Sequence, residues 1–149
     1  MKKIWVAILG MLVVMTPISI PSLASAATID LPASAPNYGY VALDDEGAVI
    51  DSSSPILTAL DQQARNHVHK REAVNFAHSR WVYYSDHHNY FNGYKWSHSN
   101  YYHNAEYHTS TAAVSGHDKT TASAKAHNYS VATAAGKGKA QMWYWAPYK

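Results

Sequence analysis

The chain has 149 residues, a formal net charge of +2 and no cysteine, so disulfide bridges, thiol nucleophiles and cysteine-ligated metals are excluded. Stability must therefore come from packing and hydrogen bonds. A small secreted animal scaffold normally carries several disulfides, so their absence favours a bacterial cell envelope as the setting.

The first residues have the three parts of a secretory leader. Residues 1 to 3 carry positive charge, residues 4 to 14 are almost wholly apolar, and residues 22 to 27 supply small side chains for a signal peptidase. The apolar run is shorter than the roughly 20 residues that span a bilayer, which makes a retained anchor the weaker alternative. We expect cleavage after Ala26 and a secreted, extracellular protein with no stable membrane span.

Charge and aromatic residues are distributed unevenly about residue 80. Residues 1 to 80 carry six basic and seven acidic side chains, whereas residues 81 to 149 carry six lysines against three acidic side chains. The second part also holds ten of the twelve tyrosines and four of the five tryptophans. Composition therefore predicts three units: a signal peptide (1–26), a propeptide or linker (27–80) and a folded domain (81–149).

The middle region contains local signals for a hairpin and a helix. A Pro/Ala/Ser-rich stretch at 31–36 predicts a flexible segment. Residues 38–43 and 48–50 flank a turn at 44–47, which predicts a short hairpin. Ser54 and Pro55 suit the first positions of a helix, and six residues could form one apolar face of that helix: Ile56, Leu57, Leu60, Ala64, Val68 and Phe76. We expect this region to be partly disordered or helical, whether it is a propeptide, a linker or a permanent subdomain.

Polar and apolar residues alternate with a period of two in the last part of the chain. The alternation covers residues 94–98, 109–114, 122–126 and 141–145, and this period is typical of half-buried strands. Glycine-containing turns are expected at Gly93, at 115–116 and at 136–138. The pattern predicts an all-β fold, a small β-sandwich of two antiparallel sheets, although the alanine-rich stretch 122–135 would also tolerate a helix.

A motif in this region resembles the central signature of the lactococcin 972 bacteriocins. It consists of Ser99-Asn100-Tyr101-Tyr102-His103, His108 and Ala113-Val114. Residues 81–83 and 143–145 resemble the first and last strands of that family. The resemblance covers residues 81 to 148 and the leader, and it leaves out 28 to 80. The chain departs from the family in the stretch 84–92, which precedes the expected glycine turn.

The resemblance implies a secreted antibacterial protein that acts on the envelope of related Gram-positive bacteria. The family founder is thought to bind the cell-wall precursor lipid II and to block septum formation without forming pores. An ABC transporter in the producer is implied as the immunity partner, and neither nucleic acid nor a cofactor is expected. The candidate ligand-binding residues are Ser99, Asn100, Tyr102, His103, His108, Lys137 and Lys139.

Lipid II presents sugars, a pyrophosphate and a short peptide, so a binder needs cations and flat apolar surfaces. Five lysines could serve as point charges for phosphate: Lys95, Lys119, Lys125, Lys137 and Lys139. Backbone N–H groups at 136–139 could form an anion nest. Among the rings that could stack on sugars, Tyr102 is expected outside, whereas Trp96, Tyr101 and Trp143 are expected mostly in the core.

The sequence offers little for metal binding or catalysis. His98, His103 and His108 recur every five residues, yet their spacing matches no closed metal site, so we expect no metal. Neither G-x-S-x-G nor H-E-x-x-H occurs, and we do not expect an enzyme. The alternatives that stay open are a non-toxic structural or adhesive exoprotein and, less favoured, a secreted cell-wall hydrolase.

Overall fold

The computed structural model describes residues 27–31, 35–64, 72–115 and 117–147. The predicted leader, Val68 and Gly116 lie outside these residues. The described part holds one helix, α1 (Pro55–Ala64), and ten strands: β1 (Ala27–Asp30), β2 (Tyr38–Leu43), β3 (Val49–Ser52), β4 (Glu72–Asn75), β5 (Ser79–Asn89), β6 (Tyr94–His103), β7 (His108–Val114), β8 (His117–Ala124), β9 (Tyr129–Lys137) and β10 (Ala140–Trp145).

The strands form two five-stranded sheets, which confirms the predicted all-β sandwich. Sheet I has the order β1-β4-β5-β6-β9 and sheet II has the order β3-β2-β10-β7-β8. Neighbouring strands are antiparallel, apart from the parallel pair β1 and β4. The alanine-rich stretch 122–135 belongs to strands β8 and β9 and not to a helix.

Strands from both sides of residue 80 share the same two sheets. β2 pairs with β10 in sheet II, and β4 pairs with β5 in sheet I. β5 itself begins at Ser79, so the predicted boundary falls inside a strand. The sandwich is therefore larger than the region for which it was predicted, while removal of residues 27–80 on maturation stays a prediction.

The local signals of the middle region are found in the structure. Gly47 has a φ of +83° in the turn between β2 and β3, where the Asp44 carboxylate accepts a hydrogen bond from the Ala48 N–H at 2.7 Å. Helix α1 begins as predicted, because Ser54 Oγ accepts a hydrogen bond from the Ile56 N–H at 3.3 Å. The predicted hairpin and helix start are thus confirmed.

The helix does not extend to Phe76, so that part of the prediction is wrong. Residues 72–75 form β4, in which Val74 lies opposite Trp81 of β5. A short apolar run fits a strand as well as a helix, and pairing with β5 decides between them. Phe76 follows the strand, and its ring packs 5.0 Å from that of Tyr144.

Aromatic side chains form the larger core cluster between the sheets. The ring centroid of Trp81 lies 4.5 Å from that of Tyr83 and 4.6 Å from that of Tyr144. Tyr101 lies 5.0 Å from Tyr144 and is 1 % exposed, which confirms it as a core residue. Apolar neighbours such as Val41 and Met142 complete the cluster.

The expectation that Trp96 and Trp143 are mostly core is wrong, because both point outward. Alternation shows which side chains share a face, and the fold decides which face is buried. On β6 the inward positions are taken by smaller or polar side chains: Lys95, Ser97, Ser99, Tyr101 and His103.

Small residues fill the rest of the interior and bring the sheets close together. Ser97 Oγ donates to the Gln141 carbonyl at 3.0 Å, and Ser110 Oγ donates to the Ser130 carbonyl at 3.0 Å, in each case across the two sheets. A second apolar cluster consists of alanines. Because a hydroxyl can span the gap between the sheets, there is little room for indole rings here, and Trp96, Trp143 and Trp145 lie on the outer faces.

Candidate ligand-binding site

The structure divides the seven residues predicted to bind ligand into three groups. Three are buried between the sheets: Ser99, His103 and His108. Two lie on the outer face of sheet I: Asn100 and Tyr102. The last two are exposed beyond the opposite end of that sheet: Lys137 and Lys139.

Ser99 links strands and is fully buried. Its Oγ accepts a hydrogen bond from the Trp81 indole N–H at 3.0 Å and donates to the Trp143 carbonyl at 2.9 Å. This side chain has no surface open to a ligand, which corrects its assignment as a binding residue.

The two motif histidines shape the loop between β6 and β7. His103 Nδ1 accepts hydrogen bonds from the N–H groups of Ala105 at 3.2 Å and Glu106 at 3.0 Å. His108 is fully buried, and its Nδ1 donates to the Glu106 carbonyl at 2.8 Å. Both rings also meet the ring of Tyr101 edge-on. Their placement is structural, which corrects their assignment as ligand-binding residues.

The three evenly spaced histidines do not all converge: the ring centroids of His103 and His108 are 6.2 Å apart, but His98 lies on another face. An interval of five residues along a strand reverses the face, so His98 lies on the outer face of sheet I while His103 lies inside. His98 Nε2 contacts Asp86 Oδ1 at 3.0 Å, and its Nδ1 contacts Thr133 Oγ1 at 3.0 Å. Within the described residues, no group of three or more His, Asp or Glu side chains is arranged to hold a metal ion.

The predicted anion nest at 136–139 is also corrected. β9 runs through Lys137, so Gly136 is a strand residue, and Gly138 alone has the positive φ of a turn, +118°. The Gly138 N–H donates to the Gly93 carbonyl at 3.0 Å, and the Lys139 N–H donates to Ser115 Oγ at 2.9 Å. These N–H groups are used by the protein and do not form a cradle for an anion.

Lys95 is unavailable for phosphate because it is buried and paired. Its ammonium group, 2 % exposed, donates to the Asp45 carboxylate. This hydrogen bond lowers the pKa of Asp45 below its ordinary value of 3.8. The ion pair links β6 of sheet I to the turn between β2 and β3 of sheet II.

Four side chains form a row across the outer face of sheet I. Asn75 of β4 lies opposite Arg80 of β5, Arg80 lies opposite Tyr102 of β6, and Tyr102 lies opposite Tyr129 of β9. Arg80 Nη1 donates to Asn75 Oδ1 at 3.4 Å. The two tyrosine ring centroids are 5.3 Å apart, with 45° between the ring planes. We call Asn75, Arg80, Tyr102 and Tyr129 the Arg80 row.

The Arg80 row lines a cleft of about 490 Å³. Loop residues complete its walls, among them Phe76, His78 and Asn104. The Asn104 N–H donates to the His78 carbonyl at 2.9 Å and so joins the two loops. Asn104 Oδ1 is buried and has no hydrogen-bond donor among the described residues.

The chemistry of the row suits an anion attached to a flat ring. Among the described residues no carboxylate pairs with Arg80, whose neighbour Asn75 is a neutral amide. A guanidinium group matches phosphate and carboxylate oxygens in pairs. The rings of Tyr102 and Tyr129 supply an apolar surface with polar edges.

A hydrogen-bonded group farther along the same face stiffens the strands that carry the row. Asp86 Oδ1 contacts both His87 Nδ1, at 2.7 Å, and His98 Nε2. Burial alone would raise the pKa of Asp86, but hydrogen bonds to these histidines lower it below 3.8. The Tyr84 ring stacks on His98 with centroids 4.4 Å apart. β5, β6 and β9 are therefore tied together on the outside as well as inside.

The sequence predicted Tyr102 but missed Arg80 and Asn104. A signal for Arg80 was present, because Arg80, Val82 and Tyr84 alternate with the aromatic pair Trp81 and Tyr83. This alternation places Arg80 on the outer face as soon as Trp81 is taken as core. Asn104 carries no local signal, since its place in the cleft depends on the contact between two loops.

The fold and the Arg80 row together define a β-sandwich that carries a guanidinium group and two tyrosine rings side by side on one outer face. Comparison of the chain with protein-family models, with curated proteins and with solved structures finds no match. The resemblance to the lactococcin 972 family therefore rests on the motif residues. In the described ranges no helix is long and apolar enough to cross a membrane.

Proposed function

We propose that the protein is a secreted bacteriocin that binds the cell-wall precursor lipid II of related Gram-positive bacteria through the Arg80 row. One observation carries the proposal: Arg80 lies directly opposite Tyr102, which lies directly opposite Tyr129. A cation and a pair of rings are thereby placed side by side on rigid strands.

Each part of the row has a counterpart in the precursor. The guanidinium of Arg80 binds pyrophosphate oxygens through paired hydrogen bonds. The rings of Tyr102 and Tyr129 pack against the flat C–H faces of the sugars. Tyr102 also belongs to the motif that resembles the bacteriocin signature, so the resemblance and the geometry support the same residue.

Inhibition by such a protein requires no bond to be made or broken. A precursor held in the cleft is withheld from the enzymes that polymerise the wall, and septum formation stops while the membrane stays intact. The producing cell then needs protection, for which an immunity ABC transporter is the proposed partner.

The test is a growth-inhibition assay with the protein beginning at Ala27, which contains every described strand. We expect inhibition of related Gram-positive cells, relief by added lipid II and no leakage of a cytoplasmic dye. Arg80→Gln should weaken inhibition by about 10- to 100-fold, since a hydrogen bond to a charged group contributes about 1.5–3 kcal/mol. Arg80→Lys should recover it only in part, because an ammonium group cannot bind two oxygens in a fixed plane.

Lys137→Gln is the matched control, because it also removes one positive charge and because the proposal leaves out Lys137, which lies at the opposite end of β9 from Tyr129. Equal losses from Arg80→Gln and Lys137→Gln would mean that overall charge, and not the row, determines activity. Inhibition that persists in excess lipid II would remove lipid II as the target. A protein that adheres to cells without inhibiting them would favour the adhesive alternative.

A further inference from the structure

Four aromatic side chains lie on the outer face of sheet II, opposite to the face that carries the Arg80 row. Trp145 of β10 lies directly opposite Tyr38 of β2, and Trp143 lies directly opposite Tyr40. The outer pair is open to solvent, with Tyr38 52 % and Trp145 45 % exposed. Exposed rings of this size, grouped on one face, are typical of a surface that binds a ligand or another macromolecule.

Hydroxyl side chains continue both rows across the sheet. Trp145 lies opposite Thr109, which lies opposite Ser123. The row of Trp143 continues in the same way through Thr111 and Thr121, whose hydroxyls are hydrogen-bonded at 2.9 Å. Each row therefore consists of two rings followed by two hydroxyls. We call these eight side chains the ring platform: Tyr38, Tyr40, Thr109, Thr111, Thr121, Ser123, Trp143 and Trp145.

The inner pair of rings is held in place by its neighbours. The Tyr40 and Trp143 ring centroids are 5.0 Å apart, and the Gln141 amide donates to the Tyr40 hydroxyl at 3.0 Å. The ammonium group of Lys119 lies 4.7 Å above the Trp143 ring. Tyr38 and Trp145 thus remain as the open end of a platform whose geometry is fixed by β2 and β10.

We propose that the ring platform binds a neutral glycan chain of β-linked N-acetylhexosamine units, as in the sugar backbone of a cell wall. Such a chain is a flat ribbon with C–H faces for the rings and hydroxyl and acetamido groups for the Thr and Ser side chains. The eight platform residues carry no charge, and because the Lys119 ammonium group lies over Trp143, the rings of Tyr38 and Trp145 are the uncharged surface left open for a neutral ligand.

This inference does not rest on the proposed function, because the platform and the Arg80 row lie on opposite outer faces. Each site can therefore be removed without touching the other. Failure of lipid II binding would leave the platform in place, and failure of glycan binding would leave the Arg80 row in place.

The experiment is a sedimentation assay with insoluble chitin and with purified peptidoglycan sacculi, using the protein beginning at Ala27. We expect the protein to sediment with both materials. Trp145→Ala and Tyr38→Ala should each weaken binding by about tenfold or more, given the apolar area that one ring buries. Trp145→Tyr keeps a ring and should retain most of the affinity.

Trp96→Ala is the matched control, since this indole is 37 % exposed on the outer face of sheet I. It should bind both materials as the unmodified protein does, and circular dichroism should show all variants folded. The inference is overturned if the unmodified protein stays in the supernatant with chitin, since sedimentation with sacculi alone would place recognition in the peptide stems. It is also overturned if Trp96→Ala weakens binding as much as Trp145→Ala.

Discussion

The indole N–H of Trp81 donates to Ser99 Oγ at 3.0 Å in the middle of sheet I. Through the same oxygen, Ser99 donates to a carbonyl of β10 in sheet II. Three strands thus meet at one hydroxyl, which explains why a serine occupies a fully buried position. The motif residue Ser99 and the early tryptophan act together as a structural unit beneath the outer face that carries Tyr102.

Ser99→Ala should destabilise the protein by about 2 kcal/mol, because it leaves the Trp81 N–H buried without an acceptor. Ser97→Ala is the control, since it removes one cross-sheet hydrogen bond and leaves no N–H group without a partner; about 1 kcal/mol is expected. Urea unfolding followed by tryptophan fluorescence measures both values. An equal loss of unfolding free energy in the two variants would show that the Trp81 indole hydrogen bond adds nothing to the cross-sheet hydrogen bond of Ser99.

Residues 81–149 alone should fail to fold cooperatively. This fragment lacks β4, which pairs with β5, and β2, which pairs with β10. It also lacks the core residues Val41, Leu43 and Val74. Since domains are only marginally stable, a loss of this size should abolish the thermal transition seen for residues 27–149. A fragment 81–149 that melts as sharply, at a similar temperature, would support the propeptide interpretation.

The Asp45–Lys95 ion pair should make stability depend on acidic pH. The pKa of Asp45 is lowered in the folded state, so its contribution is present above the ordinary value of 3.8 and is lost as the pH falls below it. Asp45→Asn should therefore reduce stability at neutral pH and flatten the pH dependence of unfolding below pH 4. The cost is about 1 kcal/mol, because the carboxylate side is largely exposed and screened.

Lys95→Met in the Asp45→Asn background is the control for this pair. Replacing both partners removes the buried ammonium group that the single variant leaves without an anion. Stability should then recover most of the loss. A double variant less stable than Asp45→Asn would show that Lys95 stabilises the turn by means other than the ion pair.

Gly39→Ala should be strongly destabilising. A Cβ at Gly39 would lie 2.2 Å from Cε1 of Tyr144, on the paired strand. The Tyr144 ring is buried, and its hydroxyl donates to the Pro36 carbonyl at 3.0 Å, so it cannot move freely. Overpacking of this kind costs about 1–3 kcal/mol, measurable as a lower unfolding temperature. Unchanged stability would show that the ring can shift within the core.

Much of the fold follows from the period-two alternation. The runs at 94–98, 109–114 and 141–145 each lie inside an observed strand. Alternation alone could not show that Trp96 and Trp143 face outward, because each run has two faces of mixed size and polarity. The part of the interior beneath these tryptophans is narrow and filled with hydroxyls and alanines. Only the packing of the two sheets against each other shows how narrow it is.

The candidate site was predictable in part. Tyr102 followed from the motif, whereas Arg80 stood beside a predicted boundary and was assigned no ligand. Its position opposite Tyr102 depends on the register between β5 and β6, which a composition boundary near residue 80 obscures. The motif residues Ser99, His103 and His108 were assigned to binding because polar residues in a motif suggest a ligand, yet they lie inside the sandwich and bond to backbone groups and to the Trp81 indole. Only His108 Nε2 has no hydrogen-bond partner there among the described residues.

We propose that the Arg80 row binds the pyrophosphate-sugar head of lipid II. Isothermal titration of lipid II in detergent micelles into the protein beginning at Ala27 tests it most directly. We predict saturable binding that Arg80→Gln weakens by about 10- to 100-fold and that Lys137→Gln leaves unchanged. Binding of equal strength by the Arg80→Gln variant would contradict the account.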